Sequence, residues 1–148
     1  MPNHITNRVR ISLVKGADPQ AFLDSIASER DGERQHVDFK KIIAPPDNMF
    51  RGPLSLEKER ELDTQGIPHW LGWQRQHWGT KWNAYQVQEP QVDTWSEWST
   101  IELQFDTAWA CPEPILEALA ARDDVEHVAG HWVDEFSNDA GVFNIPRA

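Results

Sequence analysis

ITNRVRISLV, residues 5–14, and TIELQFD, residues 100–106, decide the fold. In the first, Ile5, Val9, Ile11 and Leu13 fall on one side of an extended chain. His4, Thr6, Arg8, Arg10 and Ser12 fall on the other. A period of two with β-branched residues predicts a half-buried strand. In the second, Ile101, Leu103 and Phe105 alternate with Glu102, Gln104 and Asp106 in the same way. Each stretch leads into a helix. Gly16 and Ala17 turn the chain, Asp18 supplies an N-cap and Pro19 a first helical residue. Phe22, Leu23, Ile26 and Ala27 then make one apolar stripe over a helix at 19–29. Pro112 and Pro114 open the second helix, at 114–122, which carries Ile115, Leu116, Leu119 and Ala120. Residues 37–43 predict a strand ending the first unit before Pro45-Pro46. Residues 125–133 do so for the second, followed by a turn at 137–141 and a short strand around 142–145. Strand–helix–strand twice predicts an α+β, ferredoxin-like split βαβ sandwich in the order β-α-β-β-α-β, with both helices on one face. The 148 residues are expected to form a single domain.

Between the two units lies an insertion, about residues 44–98. Leu54 to Asp63 predicts a charged helix ended by Gly66. Pro68 opens another, in which Trp70, Trp73, His77 and Trp78 share one continuous face until Gly79 stops it. Residues 70–82, WLGWQRQHWGTKW, hold four tryptophans in thirteen positions, and Trp95, Trp98 and Trp109 follow. An indole buries a large apolar area and must also place its N–H, so such clusters build rigid plugs or platforms. The stretch Gln86 to Asp93 reads as a polar linker back to the sheet.

Composition narrows the function. The apolar fraction of 39% and charged fraction of 26% are those of a folded globular chain. Cys111 is the one cysteine, which excludes an internal disulfide and any cysteine-ligated zinc or iron–sulfur site. The start, MPNHITNRVR, has no apolar signal core, and no stretch reaches the ~18 apolar residues of a membrane helix, so a cytoplasmic protein is expected. The net charge of −10 is concentrated in residues 82–148, where thirteen acidic residues face only Arg122 and Arg147. Backbone-phosphate binding needs cations, so non-specific DNA binding by that half is not expected.

The strings MPNHITNRV, HWGTKWNAY and FDTAWACPEPI together resemble the YubB-like family of small proteins carried by phages and conjugative plasmids. The resemblance spans Met1 to about Val133, and WGTKWNAY is its most specific part. It implies a mobile-element origin and a ferredoxin-like domain, and no reaction. The loop from Pro46 to Gly66 and the acidic C-terminal strand depart from the pattern.

Trp78, Thr80, Lys81, Trp82, Asn83 and Tyr85 are the candidate binding residues, because they combine aromatic faces with a cation, a hydroxyl and an amide. Tryptophans at helical spacing also serve as packing, with Gly79 as the C-cap of their helix. No catalytic residue is assigned and no cofactor is expected. His127 and His131 share one strand face, and His69 and His77 lie on a helix, but neither pair has the converging ligands of a zinc site, so no metal is assigned. Arg8 and Arg10 are expected to meet Glu102, Gln104 or Asp106 across adjacent strands. Cys111, between Ala110 and Pro112, has no histidine near it in sequence. The expected function is an uncharacterised mobile-element accessory protein that binds a host or element-encoded protein through a Trp-rich, partly acidic surface. The alternative is a small enzyme acting on a nucleotide or nucleic-acid end, using Lys81, Asn83 and Tyr85 with Asp106 or Asp134. A pocket with a perturbed carboxylate would favour the enzyme, a flat aromatic surface with an acidic rim the binding protein.

Overall fold

The computed structural model describes residues 3–146. The chain is α+β, and its frame is a five-stranded, wholly antiparallel sheet. The central strand β1 (His4–Leu13) lies between β5 (Trp98–Ala108) and β6 (Val125–Asp134). Beyond β5 lies β4 (Gln91–Trp95), and beyond β6 lies β7 (Ala140–Pro146), giving the order β4-β5-β1-β6-β7. Helices α1 (Pro19–Ile26) and α5 (Glu113–Ala120) connect into and out of this frame.

One face of the sheet is covered. Val9, Ile11 and Leu13 of β1, Ile101, Leu103 and Phe105 of β5, and Val125 and Val128 of β6 form a single core. Phe22, Leu23 and Ile26 of α1 join it, as do Ile115, Leu116 and Leu119 of α5. Both helices therefore share one face, as the two apolar stripes require. Asn7 interrupts the apolar row of β1 while fully buried. Its amide nitrogen is satisfied by the Ile5 and Phe105 carbonyls and by the Thr107 hydroxyl at 3.0 Å. The opposite face carries Arg8, Arg10, Glu102 and His131 into solvent.

Three expectations change. Residues 37–43 are not a strand. Asp38 caps a short helix, α2 (Phe39–Ile42), its carboxylate accepting the Lys40 N–H at 3.0 Å. The alternation of Val37 and Phe39 reflects burial on either side of that cap rather than a pleat. A two-stranded hairpin, β2 (Ser28–Arg30) with β3 (Glu33–Gln35), shortens the first helix to residue 26. Finally, residues 91–95, read as linker within the insertion, form β4 and pair with β5 from Gln91↔Glu102 to Trp95↔Trp98. The insertion's helices follow the sequence closely. α3 (Leu56–Gln65) ends at Gly66 in the left-handed region, and α4 (Trp70–His77) has His69 as its N-cap. Among the described residues no helix is long and apolar enough to cross a membrane.

Gly130 allows the closest backbone approach in the sheet. Its φ is +155°, and a Cβ there would sit 1.9 Å from the Arg8 carbonyl oxygen. That oxygen belongs to the central strand and cannot yield without breaking pairing on both sides. Gly130→Ala should therefore cost about 1–3 kcal/mol, as overpacking does, lowering the melting temperature by several degrees. An unchanged thermal melt would show that β1 and β6 separate more easily than this register implies.

Candidate functional site

The tryptophans of α4 are packing residues. Trp78 is 2% exposed, meets Phe39 edge-on at 5.7 Å, and donates its indole N–H to the Ile43 carbonyl at 2.9 Å. Trp73 packs against the core, edge-on to Trp78 and stacked on His77 at 4.7 Å. Trp70 donates to the Gly52 carbonyl at 2.9 Å. Gly79 follows α4 with a φ of +80°, and a Cβ there would lie 2.7 Å from the Pro114 ring. The helix thus stops where it abuts the start of α5.

The loop after Gly79 holds itself and ties two distant segments together. The Thr80 hydroxyl donates to the Trp82 carbonyl at 2.6 Å, and Gln74 donates its amide to the Lys81 carbonyl at 2.5 Å. Asn83 is a clasp. Its side-chain oxygen accepts the Phe39 and Ala84 backbone N–H groups at 2.9 and 2.8 Å. Its amide nitrogen donates to the Asp38 carboxylate at 2.8 Å. Burial would raise the Asp38 carboxyl, but donors from Asn83, Ser28 and Lys40 outweigh that and hold it below the usual range. Lys81 lies over the Trp82 ring, 5.4 Å from its centroid, and Trp82 is 38% exposed. Of the six candidates, Lys81 and Trp82 reach solvent together. Trp78 and Thr80 are buried, and the hydrogen bonds of Asn83 go to the protein's own interior.

Tyr85 leads to a cluster that the string GTKWNAY does not reveal. Its backbone bridges Asp106, which brings its ring to the open face of the sheet beside that carboxylate. The Tyr85 hydroxyl and His4 Nδ1 lie 2.5 Å apart, and the Thr6 hydroxyl donates to Asp106 at 2.9 Å. Burial raises the Asp106 carboxyl, and Glu135 adds to the effect, against the pull of Thr6 and His4. Burial, followed by the charges of Asp106 and Glu135, likewise raises the Tyr85 phenol. His4 and Thr6 were not singled out from sequence. The signal was present, since alternation along β1 places both on the side of Arg8. Asp134 is held low by the Phe136 backbone N–H, with help from Ser137 and Asn3, in a turn that uses its carboxylate structurally.

Farther along the open face, Arg10 donates to Glu102 at 2.6 Å, the cross-strand pair that alternation predicts. A groove of about 710 Å³ lies over Arg8, Arg10, Gln104 and His131. At the end of the β4–β5 hairpin, Trp95 and Trp98 are 78% and 46% exposed, and every residue of β4 is exposed. The histidines are dispersed. His127 meets Asn144, while His69 caps α4 by accepting the Gly72 N–H. Cys111 borders a second cavity of about 600 Å³ with Trp109 and Trp132. Burial and then Glu113 push its thiol up to about 12, which suppresses the nucleophilic thiolate.

Comparison with protein families, with curated proteins and with solved structures returns no match for this chain.

Two substitutions separate the roles of these residues. Asn83→Ala would strand the Phe39 N–H and the Asp38 carboxylate, so it should destabilise by about 2–3 kcal/mol, while Lys81→Ala leaves the melting temperature nearly unchanged. Equal melts for the two variants would dissolve the clasp. Asp106→Asn should act in the opposite direction. A carboxyl raised in the folded state contributes stability that declines as pH rises from about 3.8 through its folded value. The neutral variant should therefore melt higher than wild type at pH 7, with the gain shrinking towards pH 4. A gain that grows on acidification would contradict the raised carboxyl.

Proposed function

We propose that this chain is a ferredoxin-like binding module encoded by a mobile element of the phage or plasmid kind. Its partner is a host or element-encoded protein met in the cytoplasm. The fold assignment draws on the succession β1, α1, β4, β5, α5, β6 and on the sheet order β4-β5-β1-β6 with both helices on one face. In this reading β4 takes the place first given to residues 37–43, and β7 extends the far edge. The mobile-element origin draws on the resemblance carried by MPNHITNRV, HWGTKWNAY and FDTAWACPEPI.

The observation that carries the function is the edge at β4. Its five residues are exposed, and an edge strand presents unpaired N–H and C=O groups to any incoming chain. Val92, Trp95 and Trp98 supply exposed apolar area there. Glu89 and Asp93 lie in and beside it, Glu97 and Glu102 pair with Lys15 and Arg10, and no lysine or arginine occurs anywhere in residues 82–121. An apolar edge in an acidic setting fits a partner that presents a basic, extended segment, paired by backbone hydrogen bonds and anchored on indoles.

The alternative, a small enzyme acting on a nucleotide or nucleic-acid end, draws on the raised Asp106 carboxyl beside His4 and Tyr85. Asn83, one of its intended residues, points instead to Asp38. Binding therefore stands first.

Affinity capture from host lysate, read by mass spectrometry, tests the proposal. Wild type should recover a basic protein. The Trp95→Ala/Trp98→Ala pair should lose it by roughly thirtyfold or more, the effect of about 2 kcal/mol at an interface hot spot, without losing the fold. Recovery should also weaken as salt screens the charges. Undiminished capture by the double variant would remove the edge from the interface. Turnover of a nucleotide by wild type and not by Asp106→Asn would favour the enzyme.

A further inference from the structure

The groove over the middle of the open sheet face contains two arginines in different electrical states. Arg10 lies opposite Glu102 in register and is neutralised by it at 2.6 Å. Arg8, two residues earlier on the same face, lies opposite Gln104 on β5 and His131 on β6. Among the described residues Arg8 forms no ion pair within 4.0 Å. A guanidinium keeps its charge at any working pH and presents a planar fork of N–H donors. Here that fork stands in a concave site of about 710 Å³ that Gln88, Gln91 and Gln104 also line. Ala129, beside Arg10 in register, takes up little of the groove.

The acidic lining limits what can enter. Glu89 borders the same groove, and Glu102 is already engaged by Arg10. A polyanion would bring successive phosphates towards Glu89 and the acidic β4 edge, whereas a single carboxylate can meet Arg8 alone. Arg–carboxylate contact is bidentate and charge-assisted, the strongest polar contact available at this position.

We propose that this groove binds a small ligand through one carboxylate, gripped by the Arg8 guanidinium. Gln88, Gln91 and Gln104 hydrogen-bond the polar body of the ligand. The site uses neither Trp95 nor Trp98 and shares only Gln91 with the β4 edge, so the Trp95→Ala/Trp98→Ala pair should leave it intact.

N-acetyl-glycyl-glycine with a free carboxylate, its C-terminal amide, inorganic phosphate and a short single-stranded RNA are the probes. Each is titrated into the isotopically labelled full chain and followed by backbone amide shifts. The free acid should give saturable movements confined to residues 8–10, 88–91, 102–104 and 129–131. The amide should bind about tenfold more weakly or worse, and Arg8→Gln should lose the free acid to a similar degree. Arg8→Lys, which keeps the charge without the fork, should fall between them. The dispersion of each variant's spectrum reports its folding directly. Equal binding of acid and amide, an unchanged Arg8→Gln titration, or no saturable movement at millimolar acid would overturn the proposal. So would tighter binding of phosphate or RNA, which would assign the groove to phosphate chemistry instead.

Discussion

The hydrogen bond between the Asn83 amide and the Asp38 carboxylate spans 45 residues of sequence, and the placement of the whole insertion follows from it. A buried carboxylate is tolerable only if its oxygens are satisfied, and Asp38 collects donors from Asn83, Ser28 and the Lys40 backbone. The contact does two things at once. It turns residues 39–42 into a capped helix, and it delivers the chain at Ala84 to the end of β5. Tyr85 then bridges Asp106, and the segment after it can run back along β5 as β4. Without that clasp the tryptophans could still bury their rings, and the exit of the chain would be left to the Gln74 and Gln35 amides on the Lys81 and Ala84 carbonyls.

This long-range bond also explains what could and could not be read from sequence. Strands at 5–14, 100–106 and 125–133 were legible because one covered face dictates apolar alternation at every second residue. Helices 19–29 and 114–122 were legible from their stripes and prolines. Residues 37–43 misled because Val37 and Phe39 alternate with Asp38 and Lys40, while Asn83, which holds Asp38 and accepts the Phe39 N–H, lies far along the chain. Gln91–Trp95 gave no strand signal because all five residues are exposed, and a wet edge has no hydrophobic period to display. The role of Trp78 was open to reading from helical spacing. The role of Asn83 was not, since its partners come from another segment.

The tryptophans consequently divide by their setting rather than by their number. Trp70 and Trp78 place their indole N–H groups on the Gly52 and Ile43 carbonyls, and Trp73 and Trp78 pack edge-on against each other over the core. Trp95 and Trp98 flank the two-residue turn of the β4–β5 hairpin, where Ser96 adopts a φ of +57°. The Gly16 N–H donates to the Glu97 carbonyl at 2.8 Å, and Lys15 pairs with Glu97 at 3.3 Å. The hairpin tip is thus fastened to the turn after β1 while its indoles remain in water. Rigid backbone beneath exposed aromatic area lowers the ordering cost of association, because few degrees of freedom remain to be lost.

The same separation runs through the charges. Arg10 and Glu102 pair at the centre of the open face, leaving Arg8 without an ion pair among the described residues there and Glu89 and Asp93 towards the β4 edge. A field of that shape acts at two ranges. The acidic edge is exposed, so its attraction for a basic partner extends about a Debye length, ~8 Å at physiological salt, and is lost as salt rises. Arg8 acts at contact, through a fork whose geometry matters more than its charge, so salt should affect it less than the loss of planarity does. One sheet can in this way hold an electrostatically steered edge and a geometrically selective groove that meet at Gln91.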